Sequence, residues 1–196
     1  IMTGRPSLRE ALRTRVVVAD GAMGTMLQAA EPTLDDFEGH EGCNEILNVS
    51  RPDLVRSVHD AYFDAGVDCV ETNTFGANLA NLGEYGIPER IHELAEAGAR
   101  IARESADAWS TPDHPRWVLG SVGPGTKLPS LGHVTYAQLR DAYETQAAGL
   151  IAGGADAILI ETAQDLLQAK AAVIGATRAL RAAGADLPVQ IGRAHV

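Results

Sequence analysis

The sequence predicts an α/β fold built around a parallel sheet, on three observations. Short apolar, β-branched runs alternate with long alanine-rich stretches of helical periodicity, the pattern of strand–helix–strand units. One punctuation recurs between them, a glycine stop and an aspartate ahead of an apolar strand, at Gly66-Val67-Asp68, Gly154-Ala155-Asp156 and Gly184-Ala185-Asp186. With 196 residues, 45% hydrophobic and 21% charged, the chain can bury about 70% of its unfolded surface and needs no disulfide or structural metal to form a core.

The elements follow in order. A short polar helix is expected over residues 7–13. Val16-Val17-Val18-Ala19 is continuous and β-branched, as strands buried on both faces are. It ends in Asp20-Gly21-Ala22-Met23-Gly24-Thr25, whose two glycines make a tight turn. A loop through Pro32, Gly39 and Asn44 leads to Ser50-Arg51-Pro52-Asp53, which opens a helix with a cap residue and an early proline. Leu54, Val55, Val58, Ala61 and Tyr62 mark the face of that helix meant for burial. It stops at Ala65-Gly66, and Cys69-Val70 leads into Glu71-Thr72-Asn73-Thr74-Phe75. Further strands are expected over 117–122, 157–160 and 187–190, and helices over 89–109, 136–151 and 166–183. About five strands in this alternation admit either an open doubly wound sheet or part of an eight-stranded barrel, which needs about 250 residues. Length favours the open sheet; chemistry at the strand ends favours the barrel.

Composition excludes several functions. Acidic side chains outnumber basic ones by 26 to 16 and the Lys and Arg residues are scattered, so nucleic acid is set aside as a partner. No apolar run approaches the roughly 20 residues of a membrane span, so no membrane association is expected. Cys43 and Cys69 show no CxxC spacing and no apolar leader precedes them, which fits a reducing, cytoplasmic location. Ile1 ahead of Met2, and IGRAHV over 191–196, are expected to be non-native, with the natural sequence ending near Gln190 or Ile191.

Asp20, Glu71 and Glu161 each come directly after an apolar strand, so either architecture sets them at the C-terminal edge of the sheet, where such folds place their sites. Three carboxylates at one dry mouth repel each other and need a cation: a divalent metal, a substrate ammonium, or nearby Arg and Lys. Helix capping is the plainer role; it weighs equally for Glu71, whereas Asp20 and Glu161 are read as functional. The Gly21–Gly24 turn lacks the GxGxxG spacing and the lysine of phosphate loops, and is read as offering backbone N–H groups to a carboxylate. Gly123-Pro124-Gly125 is read as a simple loop, and Met23 and Met26 as filling space. Six histidines show no HxxxH or HxH pattern, and Cys43 and Cys69 read as small core residues, so no metal ligand is nominated.

Four blocks carry a resemblance: ADGAMGTMLQ (19–28), EGCNEILNVSRPDLV (41–55), GVDCVETNTFGAN (66–78) and GGADAILIETAQDLLQAKAA (153–172). Together they resemble the homocysteine-binding N-terminal module of the cobalamin-dependent methionine synthases, within the homocysteine S-methyltransferase family. The resemblance spans residues 7 to about 190 and implies a (β/α)8 TIM barrel of which this chain supplies about the first five β/α units, with 191–196 as tail. It implies methyl transfer from methylcobalamin, ultimately from methyltetrahydrofolate, to L-homocysteine. Asp20 and Glu161 would hold the substrate ammonium, with Gly21, Ala22 and Thr72 near its amino-acid end; Asn44, Asn73, Glu71 and Lys127 are left unassigned. The cobalamin- and folate-binding modules would be partners. The family activates the thiol with Zn²⁺ on three cysteines, in an NC-type and a GGCCGT-type segment that this sequence lacks. The isolated chain is therefore expected to be inactive, with no zinc or cobalamin site of its own. Two other readings compete: a Mg²⁺-dependent lyase or isomerase barrel with Asp20, Glu71 and Glu161 as ligands, and a non-catalytic open sheet that binds a small molecule or a partner protein.

Overall fold

The computed structural model describes residues 6–193. Helix α1 (Leu8–Thr14) starts at a capping box in which Ser7 and Glu10 satisfy each other's backbone N–H groups. It buries Leu8 and Ala11 against Cys69, Trp117, Leu119 and Ala157. Beyond it the expected first strand is corrected. Residues 16–19 make a single parallel bridge, Ala19 to Cys69, and Val16 and Val18 are 82% and 53% exposed rather than buried. The segment has a strand neighbour on one side only, and Val17 alone packs inward.

Helix α2 (Gly24–Ala29) and α3 (Leu47–Ser50) precede α4 (Pro52–Asp64), which has its proline in the first turn as expected. Its buried face is Val55, Val58, His59 and Phe63; Ala61, expected on that face, is exposed instead. Strand β1 (Cys69–Glu71) leads to α5 (Leu79–Glu84), for which the sequence reading named no element, and to α6 (Ile91–Trp109). Strand β2 (Trp117–Val122), α7 (Tyr136–Ala152), β3 (Ala157–Ala163), α8 (Leu166–Ala183) and β4 (Val189–Arg193) complete the chain. Strand β4 begins two residues later than expected and includes 191–193, the start of the supposed tail; residues 194–196 and Ile1 lie outside the described residues.

The strands are parallel and stand in the order β1-β2-β3-β4, with residues 16–19 beside β1. A doubly wound sheet reverses strand order at a switch point; the described strands follow chain order without reversal. One face of the sheet, carrying Val70, Val118, Val122, Ile158 and Ile160, packs against alanines of α6 and α8 and against Leu139, Tyr143 and Leu150 of α7. The helices approach closely: a Cβ added at Gly149 of α7, or at Gly153 which caps it, would lie 2.6 Å from the His92 carbonyl or 2.5 Å from the Glu96 carbonyl of α6.

The repeated glycine–aspartate punctuation has two tasks. Gly66, Gly154 and Gly184 take φ of +99°, +94° and +61°, the left-handed turn that lets a helix stop and the chain double back into a strand. Asp68 and Asp156 each accept the backbone N–H of the preceding strand segment, from Val18 and Val118, both at 2.8 Å. The third aspartate, Asp186, meets Arg9 at the surface instead.

Candidate functional site

The other face of the sheet ends in three acids. Asp20 is held by its own N–H to the Cys69 carbonyl, and its Oδ1 accepts the Glu71 N–H at 3.0 Å. Glu71 closes β1. Glu161 lies where β3 departs from regular pairing with β4, between Ile160 and Ala163. There Thr162 takes φ +55°, a conformation that costs a β-branched residue energy and persists only where the surroundings impose it. This irregularity sets Glu161 beside Glu71, and Ser121 Oγ donates to Glu161 Oε1 at 2.5 Å.

Glu71, Glu161 and Ser121 line a cleft of about 410 Å³ with Gly21, Ala22, Asn44, Glu45 and Phe75; no Lys, Arg or His among the described residues lines it, and Asp20 adjoins it through the Glu71 N–H. Burial first, with the Glu161 charge adding, pushes the Asp20 carboxyl up to about 7. Burial, then Glu161 and Asp20, raises Glu71 well above the usual carboxylate range. The cleft therefore stores uncompensated negative charge and holds protons near neutral pH that a cation could replace.

The structure brings together Asp20, Gly21, Ala22, Glu71, Thr72 and Glu161 as the sequence suggested. Gly21 and Ala22 lie on the turn into α2, where Tyr62 Oη donates to the Ala22 carbonyl at 2.9 Å and a side chain at Gly21 would press on that hydroxyl. Thr72 is buried, its hydroxyl bonded to Thr74 and to the Ser121 N–H. Asn73 braces the cleft wall by donating to the Asn44 carbonyl and to Asn48 Oδ1. Lys127 is exposed on the loop after β2 and does not line the cleft.

Three contributors escaped sequence reasoning. Glu45 is 8% exposed, and its carboxylate accepts the Gly76 N–H and the Cys43 thiol. Ser121 and Thr162 complete the set. A polar residue inside the apolar run Trp117-Val118-Leu119-Gly120-Ser121-Val122 was the available sign for Ser121; nothing in the sequence marks Glu45 or Thr162. Both cysteines are buried, with burial pushing each thiol up to about 12. Among the described residues no three His, Cys, Asp or Glu side chains are arranged to hold a metal ion.

Comparison with known proteins decides the family: residues 17–192 match the profile described as homocysteine S-methyltransferase. The chain belongs to the homocysteine S-methyltransferase family. Membership sets aside the lyase or isomerase reading. Two relatives, the methionine synthases of Mycobacterium leprae and Mycobacterium tuberculosis, are each 61% identical to this chain over 182 residues. The match covers 93% of this chain and 15% of each of theirs. In fold the chain is similar to the homocysteine methyltransferase MmuM from Escherichia coli. The oxidized form gives 23% identity and a TM-score of 0.71, covering 94% of this chain and 64% of that one. The metallated form gives 25% identity and a TM-score of 0.71, covering 92% and 64%.

Proposed function

We propose that this chain forms the amino-acid half of the homocysteine site in a cytoplasmic methionine synthase, as about the first five units of a (β/α)8 barrel. The observation that carries the reading is the cleft itself: Glu71 and Glu161 line it, Asp20 adjoins them, and no described cationic side chain is among its walls. Homocysteine is a zwitterion, and its ammonium supplies the missing charge. Asp20 and Glu161 grip that ammonium, and the Gly21-Ala22 turn and Thr72 border the carboxylate end. Without reversal of strand order, further units would continue the same curvature toward closure.

The described residues do not fit a thiol-activating zinc. Cys43 donates to Glu45, Cys69 lies in the core near the Val18 carbonyl, and both remain protonated thiols. Sulfur activation therefore falls outside what these residues do. They bind the substrate, orient it by its amino-acid end and leave its side chain free to extend from the sheet. Companion modules carrying cobalamin and folate would present the methyl group.

Calorimetric titration of the full-length protein with L-homocysteine, and with its analogue bearing hydroxyl in place of the amine, tests the reading. Glu161→Gln removes a charged hydrogen-bond partner, worth about 1.5–3 kcal/mol, so affinity should fall about ten- to a hundredfold. The hydroxyl analogue should bind parent and variant with similar, weak affinity. Unchanged homocysteine affinity in the variant, or equal binding of the two ligands to the parent, overturns the assignment.

A further inference from the structure

A buried ladder of hydroxyls supports the cleft acids. Thr74 Oγ1 donates to the Ser121 carbonyl at 2.7 Å, so its proton is committed and the 2.6 Å contact with Thr72 Oγ1 must be donated by Thr72. Thr72 Oγ1 in turn accepts the Ser121 N–H at 3.0 Å. Gln146 of α7 seals the ladder from behind by donating to the Thr74 carbonyl at 2.9 Å. Thr72, Thr74, Ser121 and Gln146 are all 3% exposed or less. Ser121 is thus fixed on both sides, and its hydroxyl proton points to Glu161 Oε1.

That direction has a chemical consequence. A hydrogen bond donated to a carboxyl is stronger when that carboxyl is ionised, so the Ser121 hydroxyl favours the charge on Glu161. Glu71 has no such donor: among the described residues no hydroxyl or amide reaches its carboxyl, whose neighbours are Glu161 and Asp20. The charged and titratable groups facing the pair are Asp20 from the segment before α2, Glu45 from the turn at 44–46, and Tyr62 of α4 beside Asp20.

We propose that Ser121 is a positioning residue for ammonium recognition: it anchors Glu161 as the ionised member of a carboxyl pair whose proton resides on Glu71, so that a substrate ammonium enters by displacing that proton to solvent. One proton leaves for each ammonium bound, and no other bond changes. The ligand half of this statement rests on the homocysteine reading; the proton half does not.

Two measurements separate them. In ligand-free protein carrying ¹³C-carboxyl glutamate, with the Glu45 signal assigned through Glu45→Gln, the other glutamate that titrates above the usual range should disappear in Glu71→Gln and survive in Glu161→Gln; the reverse pattern overturns the proposal whatever the ligand. Calorimetry with L-homocysteine in buffers of different ionisation enthalpy should show proton release near pH 7. In Ser121→Ala affinity should fall about tenfold and its pH profile should move upward, while Ser121→Thr restores both. Should Ser121→Ala not fold, Ser121→Cys, nearly isosteric with a weaker donor, should change in the same direction. Affinity and pH profile unaltered in the hydroxyl-deleted variant overturn the proposal. Failure of the parent to bind homocysteine at any pH sinks the ligand reading alone.

Discussion

His59 lies on the buried face of α4 with no solvent exposure, and neither ring nitrogen has a described hydrogen-bond partner. Burial pushes its imidazole down from 6.5 to about 4. The unfolded chain takes up a proton near pH 6.5 that the folded chain refuses, so this residue's contribution to stability is lost as pH falls from 6.5 toward 4, by about 3 kcal/mol over that range. His59→Leu should remove that loss and, by deleting an unpartnered polar group, gain about 1–3 kcal/mol at neutral pH. Urea unfolding of variant and parent at pH 7 and pH 5 measures both; the Asp20 and Glu71 contributions are common to the two proteins and cancel. A variant less stable than the parent at pH 5 would mean that His59 has a partner in solution. At this scale the sequence marked acids that the structure brings together, because each follows an apolar run directly. Ser121 escaped because one hydroxyl in a strand has no spacing to betray it, and Thr162 because backbone strain leaves no mark in residue type.

Elements were legible wherever hydrophobic period and punctuation agreed. Helices α6, α7 and α8 fall within two residues of their expected limits, and β2 at its expected limits. Residues 16–19 failed because β-branched composition reports a preference for extended backbone, whereas pairing needs neighbours, and this segment has one. Alanine abundance correctly signalled close helix packing, but the contacts that set the distances are glycines. At Gly175 of α8 an added Cβ would lie 2.6 Å from the Arg140 carbonyl and 2.8 Å from the Glu144 nitrogen of α7. These are backbone atoms of a packed helix and cannot rotate aside. Alanine gains about 1 kcal/mol over glycine in a helix, and overpacking costs about 1–3 kcal/mol, so Gly175→Ala should destabilise by up to about 2 kcal/mol. Gly83 of α5 meets nothing within 4 Å, so Gly83→Ala should gain up to about 1 kcal/mol. Equal urea midpoint shifts in the two variants would show that the α7–α8 crossing yields.

Winding decides what the whole molecule exposes, and this the sequence left open between two architectures, because strand composition is the same whether successive units circle one way or turn back. The described sheet ends in two unlike edges, residues 16–19 on one side and β4 on the other, each paired along one flank. Val16 is 82% and Ile191 62% exposed, so both edges combine open backbone groups with apolar side chains, the conditions for recruiting another strand. A net charge of −10 opposes encounter between copies, but salt screens it, with a Debye length of about 10 Å at 0.1 M, and leaves apolar burial intact. The isolated chain should therefore sediment as a dimer or larger species, in a proportion that rises with salt; association through ion pairs would fall instead. The double variant Val16→Lys, Ile191→Lys places a charge on each edge and should return the chain to its monomer mass of 20.6 kDa. A parent chain that stays monomeric at high salt would show that those edges are shielded in solution, and that the apolar residues left exposed by the winding are no driving force for association.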